Sequence, residues 1–485
     1  MTETFISGQG DFFVQTDRGE PFEYLTCVSL TDVPRPRGDV TAFYEPDPAQ
    51  KGQFRIAGFI QGEPGAGTLT LERPLSSVYN FLLEQECEFE GMVAYSCRGQ
   101  RGNPENYDVA FVLYRMRITQ DALQNVVASQ PGDQDRVNTN AEVSYRDVKI
   151  IYRLTVARQS LSSTAAANAI AFLPKECQDP CGNAPRGLCK EGYLALDGEQ
   201  YNSLVMYTRD GGANWNETSS DPFTYGGGDA GSIITVTTSS GHRAIVARKS
   251  ATAGEPAEVA ITTDWGANWT NVDVGSVSGQ YINKLFYYAG YIWAACSGGY
   301  IYRSSDLGDT WEAQESGVET TEDLNDIVMY TEKVGYAVGD NNAFLYTTDG
   351  EEWNSRTGPA AGVNLLSVAV NDLGHVFVGA ANGNLYVSED GGETWETRKE
   401  FGSGSVDRIV FEPDLRYFGF VVYNNAAGRG YVYRSKDGGA TWIAPDGQPS
   451  NGGLNDVWPC DQNTFFACGE VYGGTTVVLK GNPSS

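Results

Sequence analysis

Six copies of one short pattern constrain this chain more than any other feature of its sequence. Each copy sets a Ser or Thr, an Asp, a Gly and a Trp at nearly fixed offsets: TRDGGANW (208–215), TTDWGANW (262–269), SSDLGDTW (304–311), the shortened TTDGEEW (347–353), SEDGGETW (388–395) and SKDGGATW (435–442). The aspartates Asp210, Asp264, Asp306, Asp349, Asp390 and Asp437 stand 54, 42, 43, 41 and 47 residues apart. Units recurring at such a period are supersecondary elements that bury their apolar faces against their own copies.

The pattern has the chemistry of a turn. Its hydroxyl and carboxylate can accept from nearby backbone N–H groups, glycine tolerates positive φ, and the indole packs beneath. A corner is needed in every repeat, whereas a reactive site is seldom copied six times. Asp210, Trp215, Asp264, Trp269, Asp306, Trp311, Asp349, Trp353, Asp390, Trp395, Asp437 and Trp442 are therefore assigned a structural role. No catalytic, cofactor or metal role is assigned to any residue.

Around each corner the chain alternates short apolar runs with Gly, Asn and Asp, as in LNDIVMYT, VGYAVGDN and AFLYTTDG, and a more polar run such as ETRKEF follows the Trp. Four short antiparallel strands per repeat make a β-propeller blade. LNDVWPC, TFFACGE and TTVVLKG supply three strands of a seventh repeat with no fourth after them. We expect AIAFLP (169–174) to close the ring as that missing strand, since closure removes unpaired edges.

The S-x-D-x-G-x-x-W signature, matched in five copies and shortened in the fourth, resembles the Asp-box (BNR-type) propeller superfamily. The resemblance covers about two thirds of the chain and implies the fold without an activity. Members include sialidases and other glycosidases, sortilin-type receptors and photosystem assembly factors. A sialidase-like site would need an arginine triad, a Tyr–Glu pair and an Asp acid. The superfamily's Arg-Ile-Pro motif is absent, Arg186 in APRG being the nearest echo, and Arg303 and Arg434 sit just before Asp turns. The receptor and photosystem readings lack a visible secretion signal, because MTETFISGQGDFF has neither a basic nor an apolar region.

At 485 residues two domains are expected, and all nine Trp lie beyond residue 200. We place an α+β, mostly β domain at 1–160, a small polar linker at 161–168 and the propeller at 169–485. Of the net charge of −28, about −7 falls on residues 1–165 and −21 on the rest, which argues against a general nucleic-acid surface. No apolar run is long enough to span a bilayer. The nine cysteines are scattered and odd in number, which suits a reducing cytosol with mostly free thiols. Cys177, Cys181 and Cys189 form the one cluster, open to either a local disulfide or zinc.

In the N-terminal region, strand-like runs surround one helical stretch, SSVYNFLLEQE (76–86). RGD (37–39) reads as a chance loop, and GEPGAG (62–67) lacks the Lys that a phosphate loop needs. The order of hairpin, Gly-Pro turn, short helix and long strands in 51–160 is similar to phage tail-tube and related virion ring proteins. That resemblance implies a β-sandwich or barrel subunit that assembles into stacked hexameric rings. The expected fold is thus mainly β, a tail-tube-like domain followed by a seven-bladed propeller. The expected function is a non-enzymatic virion tail-tube subunit, synthesised in the host cytoplasm, whose propeller decorates the tail. Expected partners are further copies of the chain, other virion proteins, host-surface glycans, and DNA passing non-specifically through an acidic lumen. A propeller-type glycoside hydrolase or carbohydrate-binding protein is the alternative.

Overall fold

The computed structural model describes the backbone of strands between residues 9 and 158, and describes side chains over 156–481 except at 160, 162, 164, 174–188, 199–203, 221, 224–228, 239–240, 250–255, 315–319, 413–416, 446–449 and 461–462. The chain divides into Met1–Arg153, with Ser484–Ser485, and Leu154–Pro483. In the first unit seven strands pair in the order Phe89–Tyr95, Gln9–Gln15, Glu23–Leu30, Gly67–Glu72, Thr139–Ser144, Val109–Ile118, Asp147–Tyr152, and Phe89–Tyr95 also pairs with Val109–Ile118. Val40–Pro46 and Phe54–Gln61 form a separate hairpin. The helix expected at 76–86, the RGD and most of GEPGAG lie outside the described residues.

The second unit is a propeller of seven antiparallel sheets. Blade 1 runs Ala167–Phe172, Gly192–Leu196, Val205–Thr208, Asn216–Glu217, from axis to rim. Blades 2 to 5 begin at Ala230–Thr238, Ile282–Tyr288, Leu324–Met329 and Leu365–Val370, each followed outward by three more strands. Blade 6 has Gly404–Phe411, Gly419–Asn425 and Gly430–Ser435, with a single bridge from Arg434 to Ile443 where a fourth strand would lie. Second strands such as Gly335–Gly339 and Val376–Ala380 are buried at every residue, because both faces of a blade meet neighbouring blades. Rim strands such as Glu396–Glu400 are largely exposed, which explains their charge.

Ring closure differs from the expectation. Blade 7 consists of Leu454–Asp461, Thr464–Tyr472, Thr475–Pro483 and, as its outermost strand, Leu154–Arg158, which pairs antiparallel from Leu154 opposite Pro483 to Arg158 opposite Leu479. The first four residues of AIAFLP, Ala169 to Phe172, instead lie in the innermost strand of blade 1. Its burial decides the matter: Ala169, Ile170, Ala171 and Phe172 are at most 1% exposed, which a rim strand cannot be, whereas Ala157 and Arg158 are exposed.

Neighbouring blades are held by repeated devices. At five seams a cation reaches the next blade's Asp corner: Arg243 to Leu307 O (2.8 Å), Arg303 to Gly350 O (3.2 Å), Arg356 to Gly391 O (2.7 Å), Lys399 to Trp442 O (3.0 Å) and Lys480 to Gly211 O (3.1 Å). At the seam between blades 1 and 2, Trp265 takes that place. It stacks on Tyr193 of blade 1 (5.2 Å, 12°), carries the Arg209 guanidinium 4.4 Å over its ring and lies 4.2 Å from the His242 ring. Trp265 holds φ at 64°, at a corner position where Gly211, Gly391 and Gly438 take φ of 70 to 72°. A bulky side chain there is strained, so its packing outweighs a local cost of about 1–3 kcal/mol.

Candidate functional site

The repeated octapeptides sit at the turn between the third strand and the rim. In the first, Thr208 Oγ1 donates to Asp210 Oδ1 (3.0 Å) and accepts from Gly212 N (3.0 Å), while Asn214 donates to the carboxylate through its backbone N (2.8 Å) and its Nδ2 (2.7 Å). Asp264, Asp306, Asp390 and Asp437 repeat the arrangement with Asn268, Thr310, Thr394 and Thr441 as partners. In the shortened copy Asp349 accepts from the backbone of Glu351 and Glu352 instead, at 2.9 Å each. Side-chain hydrogen bonds from Asn214 and Asn268 are the main reason Asp210 and Asp264 stay below the ordinary carboxyl pKa, and burial pushes Asp437 above it. Trp215, Trp353 and Trp442 are buried, and Trp269, Trp311 and Trp395 are half-buried. The structure spreads these residues around the molecule and gathers no shared site from them.

A polar cluster does gather at the axis. Every innermost strand shifts register at an equivalent place, just before Ala169, Ser232, Lys284, Asp326, Ser367, Arg408 and Asp456. At Ser232, Asp326, Ser367 and Asp456 the bulge aims the side chain at the following blade. Thus Ser232 Oγ accepts from Leu285 N (3.1 Å), Asp326 Oδ2 from Val368 N (3.0 Å), Ser367 Oγ from Ile409 N (3.0 Å) and Asp456 Oδ2 from Ile170 N (3.2 Å). One position earlier, Asn168, Asn283, Asn325 and Asn455 each donate to a carbonyl of the next blade, at 2.9 to 3.1 Å.

Arg408 completes the cluster. From blade 6 it reaches past blade 5 to Asp326 Oδ2 of blade 4 (2.6 Å), and its Nε pairs with Asp456 Oδ1 of blade 7 (3.0 Å). Lys284 Nζ lies 3.9 Å from Asp456 Oδ2. Burial works against the Arg408 charge, but Asp326 and Asp456 outweigh it and raise its pKa further. Burial, then repulsion from Arg408, lowers the pKa of Lys284. Asp326 and Asp456 are 2% and 5% exposed; their oxygens accept from backbone amides, Ser367 and Arg408, and Lys284 lies within ion-pair distance of Asp456. Such a pair is committed to holding the blades together, where a glycosidase needs one carboxyl poised to give a proton and another open to substrate or water.

The surface offers a different kind of chemistry between blades 5 and 6. Phe401 stacks on Tyr423 (5.3 Å, 22°) and meets Tyr433 (4.6 Å), and Tyr431 lies 5.9 Å from Tyr423 and 6.4 Å from Tyr433. Lys399 Nζ sits 5.5 and 5.6 Å from the centres of Phe401 and Tyr433. Phe401, Tyr431, Tyr433 and Lys399 are half-buried. Burial raises the phenol pKa of Tyr423 and Tyr433, so both stay neutral donors. A set of rigid, amphipathic rings loses little entropy when covered, which suits a binding surface.

Two further features escaped the sequence. Cys189 is bonded to Cys460, 271 residues away, in place of a partner within the 177–189 cluster or zinc. Cys177 and Cys181 lie outside the described residues, and Cys296 and Cys468 are free and buried. The axial cluster has a faint signal, a polar residue at the same offset in LNDIV, INKLF, VDRIV and LNDVW.

The propeller agrees with what the chain is similar to. A family described as DUF6242 beta propeller domain matches residues 324–465. The photosystem II assembly lipoprotein Ycf48 of Synechococcus sp. (strain CC9902) is 25% identical over 262 residues, covering 44% of this chain and 75% of that protein. Among solved structures, YCF48 bound to D1 peptide is 17% identical with a TM-score of 0.49, covering 68% of this chain and 96% of that one. YCF48 from Cyanidioschyzon merolae is 16% identical with a TM-score of 0.48, covering 68% and 98%. The curated match is to an assembly protein, and it overturns the virion reading: the tail-tube subunit, its rings, its virion, glycan and DNA partners and its place in a phage tail. That reading rested on strand order and texture in a region without a motif, which many β domains share.

Proposed function

We propose that this chain is a non-catalytic assembly factor whose propeller holds an extended segment of a client protein against the aromatic surface of blades 5 and 6. The observation that carries the reading is the committed axis. The carboxylates of the axial cluster, Asp326 and Asp456, are paired with Arg408 and Lys284, so the molecule's chemistry favours gripping over turnover. Similarity to an assembly lipoprotein supports the same class of role. Tyr431, Tyr433 and Phe401 would cover apolar side chains of the client, with the two tyrosine hydroxyls turned to its carbonyls.

The test is a peptide array probed with the full chain, run beside an assay with aryl glycosides. Enrichment of extended peptides is expected, with binding weakened at least tenfold by Tyr431→Ala with Tyr433→Ala, and no glycoside turnover. Glycoside turnover abolished by Asp326→Asn, or peptide binding indifferent to the two tyrosines, overturns the proposal.

A further inference from the structure

The ring closes at the seam between blades 7 and 1, and this seam is held unlike any other described. Its non-covalent part joins a shared buried core, in which Phe172 of blade 1 meets Phe466 of blade 7 at 4.6 Å, to a few polar contacts. A five-residue strand, Leu154–Arg158, pairs with the last strand, and Arg158 Nη2 donates to Tyr472 O (2.8 Å) and Thr475 O (3.0 Å). Ile170 N reaches Asp456, Asn455 reaches Ala167 O (3.0 Å) and Lys480 reaches Gly211 O (3.1 Å). Across these contacts lies the Cys189–Cys460 disulfide, with Cα atoms 5.5 Å apart. Cys460 is on the innermost strand of blade 7, and Cys189 stands just before the second strand of blade 1. The bond therefore turns the propeller chain into a covalently closed loop at the place where its two ends meet.

We infer that Cys189–Cys460 is a redox latch on ring closure: oxidised, it locks blade 7 to blade 1, and reduced, it leaves that seam to open locally while the other blades stay packed. A dithiol reductant would drive the change. One of its thiolates attacks a latch sulfur, breaking the S–S bond to give a mixed disulfide and one cysteine thiol. Its second thiol then displaces the other cysteine, so the reductant leaves as a disulfide and the protein keeps two thiols, with electrons and protons balanced. Exchange by a disulfide-bearing partner runs the sequence backwards. Among the described residues the other thiols, Cys296 and Cys468, are fully buried, and burial raises their pKa, so neither competes. The inference is independent of which client the propeller binds.

Hydrogen exchange on the full chain tests this, before and after dithiothreitol, with thiols counted by alkylation and mass. Reduction should lower amide protection at least tenfold in 154–158 and 475–483 while leaving 324–357 of blade 4 unchanged. Cys189→Ser with Cys460→Ser should match the reduced wild type and ignore dithiothreitol. Four outcomes each overturn the latch: both cysteines free in protein purified without reductant, a bond that dithiothreitol cannot reduce, unchanged seam protection after verified reduction, or equal loss of protection in blade 4.

Discussion

Asp326 shows how much a single side chain can carry here. It ties Ile327, Val368, Ser367 and Arg408 together at a position where each blade has one bulge. Asp326→Ala would leave Arg408 buried with half its counter-charge, and urea unfolding should register a loss of about 3–5 kcal/mol. Adding Arg408→Met should restore part of that loss, and a double variant no better than the single one would refute ion pairing as the cause. His242 makes a second prediction, about pH. Burial holds its pKa below the ordinary 6.5, with Tyr193 Oη 2.7 Å from Nε2. A histidine whose folded pKa is depressed favours folding in its neutral form, so the stability it lends is present above about pH 6.5 and is withdrawn as the pH falls below that value. His375 is depressed for the same reason, so the comparison needs a variant. His242→Gln should flatten the decline between pH 7 and 5, measured by thermal melts, and an unaltered slope would assign the decline elsewhere.

Among the elements, the corners were legible because their chemistry is local: a hydroxyl, a carboxylate and a glycine within five residues make the same bonds wherever they occur. The closing strand was not. LTVAR and AIAFLP both look like strands, and the residues that choose between them, Leu479–Pro483, lie at the other end of the chain. The axial cluster was hidden for a related reason. A bulge moves a polar residue out of step with the apolar alternation, so Asp326 and Asp456 look like rim residues until the register is known. The disulfide, spanning 271 residues, left no local trace at all. Fragments test the element directly. A propeller beginning at 154 should unfold in one cooperative transition, while one beginning at 160 should lose cooperativity because blade 7 lacks its outer strand. Equal transitions for the two would mean that Leu154–Arg158 is dispensable.

For the whole molecule, seven similar blades do not make seven similar seams. Cations bridge five of them, an indole in a strained conformation bridges the one between blades 1 and 2, and the closing seam between blades 7 and 1 adds a covalent bond to its cation. The borrowed strand also imposes a schedule on synthesis. Arg158 leaves the ribosome 317 residues before Thr475, the partner that accepts its hydrogen bonds. At about 5–20 residues per second, translation alone separates the two by roughly 16–60 s, long compared with the microseconds in which a hairpin forms. Throughout that interval Leu154–Arg158 is a strand without its sheet, and six blades accumulate on a ring that cannot yet shut. The strand Thr475–Pro483 is the one that ends the wait, so a ribosome stalled in blade 7 would hold an almost finished propeller by its one unsealed edge.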